Sequence, residues 1–127
     1  MPTRVFISFD YDHDSVLKEF LIGQSKLPDS PFQISDTSIT VATPNWRQVA
    51  RNRIKSSDTV AVICGQHTHT AAGVAAEVEI AQEESISYFL LKGYKDVTCY
   101  KPTSAYSSDG MYPWTWDNLK ILVGGGR

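Results

Sequence analysis

Glu77 is the residue of this 127-residue chain whose type and spacing best fit a chemical role. Val74, Val78 and Ala81 recur at helical spacing and mark an apolar stripe, and a step of about 100° per residue places Glu77 roughly 60° from its centre. The carboxylate is therefore expected to border the core. We place it in the first turn of a helix, where the positive end of the helix dipole would help keep it ionised. The structural alternative is a helix-starting glutamate that serves only that dipole.

Ser8, Phe9 and Asp10 follow one another at the end of an apolar segment that is typical of a buried strand. Open α/β sheets bind ligands beyond the carboxyl ends of their strands, so these three residues are predicted to contact a substrate. The Phe9 ring would offer an aromatic surface to a base or a ribose. The alternative is that Phe9 simply belongs to the core.

No metal site or disulfide is predicted. His67 and His69 are separated by one residue, but no Cys or acidic partner stands nearby at the spacing that metal ligands need. Cys64 and Cys99 lie in apolar segments and share no CxxC spacing, which favours two buried, reduced thiols.

Three carboxylates after the first predicted strand invite comparison with the Mg²⁺-binding pocket of response-regulator receivers: Asp10, Asp12 and Asp14. Receivers phosphorylate an Asp at the end of the third strand, where this chain has Cys64 and Gly65. Because the phosphoacceptor is missing, we interpret the acidic residues as a solvated loop and a helix cap.

The elements that would position these residues alternate along the chain. Strands are expected at 4–9, near 32–35, at 59–64 and at 86–91. Helices are expected from Asp14 or Ser15 to a stop at Gly23, from Trp46 to Ile54, from about Val74 to Glu84, and from Trp114 to Val123.

The strand predicted at 59–64 is apolar on both faces, which is typical of a parallel sheet covered by helices on both sides. Strands that alternate with helices in so short a chain predict a flavodoxin-like three-layer sandwich with a central, mostly parallel sheet. We expect one domain over residues 1–127, with a flexible tail at 124–127.

Composition narrows the possible partners. Hydrophobic residues make up 42% of the chain and charged residues 20%, which is typical of a globular domain. The formal charge is −2 and the 12 Lys and Arg residues are scattered, which gives no basis for nucleic-acid binding. No apolar run reaches the roughly 18 residues that cross a membrane, and the start lacks a secretory pattern, so a cytoplasmic protein is expected.

Four segments follow one another in a recognisable order. They are Val5 to Phe9 followed by Asp14, Ile54 to Ile63, Thr68 to Ala81, and Tyr112 to Leu119 with its two tryptophans and Asn118. Together they resemble TIR domains, most closely the TIR-like ThsB group of bacterial Thoeris anti-phage defence. The third segment departs from the family pattern, because Gly73 and Val74 stand where a large residue, commonly Trp, follows a Ser.

The resemblance implies that Glu77 is the catalytic glutamate of an enzyme that cleaves NAD or a related nucleotide. The carboxylate would orient the nicotinamide ribose and stabilise an oxocarbenium-like transition state. Nicotinamide would leave, and the ADP-ribose would be hydrolysed, cyclise as in cyclic ADP-ribose, or join an acceptor, giving a signal for a separate effector. NAD is the substrate in this scheme, and no cofactor or metal is implied.

The resemblance also implies that Asp36 and a loop through Asn45 and Trp46 close over the substrate. Its alternative is a non-catalytic TIR-like interaction module, for which a Glu77 that is salt-bridged and sealed from solvent would be evidence. Self-assembly into a homo-oligomer is compatible with either function.

Overall fold

Five parallel strands and four α-helices alternate in the computed structural model, which describes residues 3–38 and 44–125. The strands are β1 (Thr3–Ser8), β2 (Phe32–Thr37), β3 (Thr59–Cys64), β4 (Ser87–Lys92) and β5 (Met111–Pro113). The helices are α1 (Ser15–Ser25), α2 (Trp46–Lys55), α3 (Ala72–Glu83) and α4 (Trp116–Val123), and a 3₁₀ turn spans Thr68–Thr70. The strand order is β2-β1-β3-β4-β5. The predicted flavodoxin-like α/β fold is therefore confirmed.

Alternation along β1 sends its side chains to two hydrophobic cores. Val5 and Ile7 pack with residues of α1 and α4, whereas Phe6 packs with residues of α2 and α3. All six residues of β3 are buried, as expected for a central strand with helices on both faces. By the same alternation Ser8 lies on the α2/α3 face, which turns its hydroxyl toward α3.

β1 lies where the order of strands in the sheet reverses, between β2 and β3. A ligand crevice forms beyond the carboxyl ends of the strands at such a point. The pairing register of β1 with β2 shifts so that Ser35 has no partner residue in β1. Beyond this bulge the Ser38 N–H donates to the Ile7 carbonyl at 2.9 Å, which places Ser38 beside the end of β1.

The boundaries of α1 and α3 differ from the predicted ones. α1 continues through Gly23 to Ser25, because an exposed glycine inside a helix costs only about 1 kcal/mol relative to alanine. α3 begins at Ala72, so Glu77 lies in its second turn and the prediction of a first-turn position was wrong.

The carboxyl-terminal part contains a strand that has no counterpart among the predicted ones. β5 is only three residues long, too short to show the alternation that identifies a strand. The last helix accordingly begins later than expected, at Trp116. Of the tail expected at 124–127, residues 126 and 127 lie outside the described part of the chain.

Within residues 3–38 and 44–125, no helix is both long and apolar enough to cross a lipid bilayer.

Candidate functional site

Glu77 lies in α3 against the sheet and is only 1% exposed. Helix α3 buries more than one stripe, since Val74, Ala76, Val78 and Ile80 are all buried along with it. The carboxylate is therefore inside the α2/α3 face of the molecule rather than at the edge of the core. Helical spacing alone placed Glu77 at the border of the apolar stripe, but packing on both sides of the stripe buries it.

Two serine hydroxyls hold the same oxygen of this carboxylate. Ser8 Oγ donates to Glu77 Oε1 at 2.7 Å, and Ser38 Oγ donates to it at 2.6 Å. Ser38 Oγ also accepts the Phe9 N–H at 3.1 Å. The Ser38 hydroxyl has one proton, and its 2.6 Å contact to Glu77 outcompetes the 3.4 Å contact to the Ile7 carbonyl. The ends of β1 and β2 thus meet α3 at one oxygen atom.

Burial raises the pKa of Glu77 to about 7, although the hydrogen bonds from Ser38 and Ser8 act in the opposite direction. The expectation that a helix dipole keeps this group ionised is therefore wrong. The dipole acts within the first turn, where α3 has no acidic residue. Glu77 forms no ion pair with any of the described residues.

A cleft of about 260 Å³ opens above Glu77 at the carboxyl end of β1. The loop after β1 forms one wall, where the rings of Phe9 and Tyr11 stack with 5.8 Å between centroids. The start of α3 forms the opposite wall, and no side chain caps its amino terminus. The lining residues are Phe9, Asp10, Tyr11, Asp12, His13, Ser38, Thr70, Ala71, Ala72, Gly73, Val74 and Glu77.

Asp10 and His13 form a pair in the β1 wall of the cleft. His13 Nδ1 lies 2.7 Å from Asp10 Oδ2, and the His13 ring stacks on His67 with 4.1 Å between centroids. The other oxygen of the Asp10 carboxylate accepts the Asp12 N–H at 3.1 Å. Both oxygens of Asp10 are therefore engaged, and the imidazole is held in one orientation.

Three of the six residues predicted to act on a substrate line the cleft: Phe9, Asp10 and Glu77. Ser8 is fully buried and reaches the site only through its hydrogen bond to Glu77. Phe9 is 2% exposed and packs in the α1/α4 core, as its structural alternative expected.

Asp36 and Trp46 are not among the described residues that line the cleft. Asp36 Oδ1 instead pairs with Arg53 Nη1 at 2.9 Å. Trp46 begins α2 and is half-buried on the α2/α3 face. Residues 39–43 of the loop expected to close over the site lie outside the described residues.

Sequence reasoning missed Ser38, Tyr11 and His13. Ser38 lies at the carboxyl end of an edge strand, where site residues are expected. The predicted strand near 32–35 ended too early to show this, because β2 extends to Thr37. The signal for the other two was the loop after β1, where each stands next to a residue already considered.

A second carboxylate, Asp14, is 2% exposed below this loop, and burial together with nearby Asp10 raises its pKa. Among the described residues its Oδ2 has no hydrogen-bond partner. A Cβ on Gly65 would lie 2.5 Å from that oxygen, so the Asp14 carboxyl packs closely against the Gly65 backbone and any larger residue there would have to displace it.

Across residues 3–38 and 44–125 no group of three or more His, Cys, Asp or Glu side chains is arranged to hold a metal ion. Cys64 and Cys99 are both buried and are not bonded to each other.

A family model described as Thoeris protein ThsB, TIR-like domain, matches residues 6–93, which is more than half of the chain. The match runs from the middle of β1 to the end of β4 and contains Ser8, Ser38 and Glu77. β5 and α4 lie beyond it. No curated protein sequence gives a match.

Proposed function

The chain belongs to the TIR-like domain family of the Thoeris protein ThsB, and on that premise we propose that it cleaves NAD between nicotinamide and ribose with Glu77 as the catalytic carboxylate. The observation that carries the proposal is a buried carboxylate, without an ion pair among the described residues, at the base of a cleft at the sheet's reversal point. Perturbed carboxyl groups in such clefts are characteristic of catalytic sites.

Breaking the bond between nicotinamide and ribose builds positive charge on the ribose ring. An ionised Glu77 stabilises that charge strongly because little water reaches the group to screen it. The hydrogen bonds from Ser8 and Ser38 fix the carboxylate before the substrate arrives, so no reorganisation is needed during the reaction. The nicotinamide ring of NAD is itself cationic, and its approach would favour the ionised form of the group.

The size of the cleft supports binding of one end of the dinucleotide. Small-molecule pockets usually hold about 300 to 1,000 Å³, and this cleft of about 260 Å³ suits the nicotinamide ribose rather than the whole molecule. The Tyr11 ring, which is 53% exposed and stacks on the buried Phe9 ring, supplies an aromatic wall for it. The released ADP-ribose, free or rearranged, would act as a nucleotide signal for a separate effector in anti-phage defence.

The second candidate function is a non-catalytic interaction module, and two observations favour it. Glu77 is sealed at 1% exposure, and α1 presents the apolar side chains of Val16 and Phe20 at 66% and 64% exposure. Against it stands the absence of an ion pair for Glu77 among the described residues.

A comparison of three proteins decides between these functions. Wild type, Glu77→Gln and the control Glu79→Gln are each incubated with NAD, and released nicotinamide is quantified. Glu79 is exposed on the same helix and pairs with Arg47 at 3.6 Å, so its variant reports any general effect of removing a helix carboxylate. We expect the wild type and the control to cleave NAD and Glu77→Gln to be inactive. Equal rates for all three proteins would remove Glu77 from the chemistry, and mass spectrometry of the products would identify the signal.

A further inference from the structure

The Asp10–His13 pair has the geometry of an oriented base. Asp10 is a carboxylate that only accepts hydrogen bonds, so the 2.7 Å contact requires the proton on His13 Nδ1. In the neutral imidazole the lone pair is then on Nε2. A tight turn supports this arrangement, since the Asp10 carbonyl accepts the N–H groups of both His13 and Asp14 at 3.2 and 2.9 Å.

Solvent access separates the roles of His13 and Glu77. The Asp10 side chain is 8% exposed and Glu77 is 1% exposed, whereas His13 is 49% exposed. A group that takes a proton in every turnover must pass it on to water, and His13 is the one able to do so. Glu77, held by two serine hydroxyls, is placed to act as a fixed charge.

From this geometry we infer that His13 is the general base that activates an oxygen nucleophile in the second half of the reaction, with Asp10 as its positioning residue. The inference rests on the proposed NAD cleavage. It adds the class of acceptor, because a base is needed only where the acceptor has an O–H proton to lose.

The bond between the ribose carbon and the pyridinium nitrogen breaks, and its electron pair leaves with nicotinamide as a neutral molecule. An oxygen atom of water or of a hydroxyl acceptor forms the new bond to that carbon. Its proton passes to His13 Nε2 and from there to solvent, so no oxidant, reductant or metal enters the step.

Two reactions of the same enzyme separate this role from that of Glu77. Exchange of isotope-labelled nicotinamide into NAD uses a nitrogen nucleophile that has no proton to lose, whereas net cleavage uses an oxygen nucleophile. Both rates are measured for the wild type, His13→Gln, Asp10→Asn and Glu77→Gln. His69→Gln is the matched control, because His69 stacks on Tyr100 and does not line the cleft.

We expect the ratio of exchange to net cleavage to rise about 100-fold in His13→Gln, since general-base catalysis typically contributes about 10² to 10⁴. Asp10→Asn raises the ratio less, and His69→Gln leaves it at the wild-type value. In His13→Ala, added imidazole restores net cleavage, which a purely structural role would not allow. Loss of both reactions is expected only in Glu77→Gln.

An unchanged ratio in His13→Gln, or an equal fall of both of its rates, would overturn the inference while leaving NAD cleavage standing. If the folded wild type shows neither reaction, the proposed function itself fails, and that result is distinguishable from the first.

Discussion

A carboxylate with 1% exposure has lost water as a partner, and at Glu77 two serine hydroxyls replace it. The replacement is incomplete, because the pKa of the group still rises to about 7. A carboxyl group with this pKa changes charge near neutral pH, which is characteristic of catalytic groups more than of structural ones.

NAD cleavage is expected to increase with pH through about 7, because stabilisation of a cationic transition state requires the ionised form of Glu77. Below that pH the carboxyl is protonated and inactive. The measurement is kcat/KM for NAD from about pH 5.5 to about pH 9. A flat profile across this range would show that the ionisation of Glu77 does not control the reaction.

The same raised pKa predicts a stability difference. Glu77 ordinarily has a pKa of 4.5, so its favourable contribution to folding is complete below that pH and is lost as the pH rises through about 7. At about pH 8, Glu77→Gln should therefore raise the free energy of unfolding by roughly 2 to 3 kcal/mol. Urea unfolding of the two proteins measures it. Exposed Glu79→Gln should change the value by less than about 0.5 kcal/mol, and an equally small change in Glu77→Gln would contradict the prediction.

Ser8→Ala and Ser38→Ala test the hydrogen bonds to Glu77 Oε1. Each hydroxyl favours the charged carboxylate, so its removal raises the pKa of Glu77 further. The rising limb of the activity profile should move up by about one pH unit in either variant, since a hydrogen bond to a charged group contributes about 1.5 to 3 kcal/mol. Ser56→Ala is the control, because its exposed hydroxyl bonds the Asn52 carbonyl at the end of α2. An unmoved limb would mean that the serines do not tune the group.

At the scale of elements, the loop between β1 and α1 is positioned by its contact with the loop that follows β3. Asp14 precedes α1 and packs on Gly65, which follows β3, so the two loops at the sheet's reversal point depend on each other. The Asp10–His13 pair belongs to the same loop as Asp14 and immediately precedes it in the sequence. Packing at Gly65 therefore bears on the shape of the cleft.

Gly65→Ala should destabilise the protein by roughly 1 to 3 kcal/mol, because its Cβ would lie 2.5 Å from the buried Asp14 carboxyl. Gly23→Ala is the matched comparison within α1. Nothing lies within 4 Å of a Cβ at that position, and alanine should stabilise the helix by about 0.5 to 1 kcal/mol. Thermal unfolding of both variants gives the two signs, and a neutral Gly65→Ala would show that Asp14 moves aside at little cost.

At the scale of the whole molecule, one sheet separates two cores that share its strands. The carboxyl-terminal segment completes the α1/α4 face, where Trp114 Nε1 donates to Gln24 Oε1 at 2.8 Å and Trp116 lies 6.4 Å from Phe32 between ring centroids. Trp46 packs on the opposite face. The tryptophans resembling the family's carboxyl-terminal signature thus lie on the face of the sheet away from Glu77.

Both faces should unfold in a single transition, because β1 and β3 contribute side chains to each core. Two variants report the faces separately by fluorescence: Trp46→Phe retains the tryptophans of the α1/α4 face, and a Trp114→Phe, Trp116→Phe double variant retains Trp46. For each variant, fluorescence and far-UV circular dichroism should give the same urea midpoint. Separate midpoints within one variant would indicate that one layer unfolds independently.

The sequence by itself determined the architecture, because periodicity is a local property of the chain. The continuous apolar run at Thr59–Cys64 and the helical spacing of Val74, Val78 and Ala81 were enough to predict a parallel sheet with helices on both faces. It also predicted Glu77 and Ser8 through Asp10 as site residues. β5 was not predicted, because a strand of three residues is too short to show an alternation of apolar and polar side chains.

Only the tertiary structure decided what surrounds Glu77. Its partners Ser8 and Ser38 are 69 and 39 residues away in the chain, and the bulge at Ser35 precedes the contact that brings Ser38 to the end of β1. Burial reversed the expected direction of its pKa, since desolvation depends on everything packed around a group while the helix dipole acts only within its first turn. Spacing along the chain predicts which face a residue occupies, but the contacts across the fold set its charge.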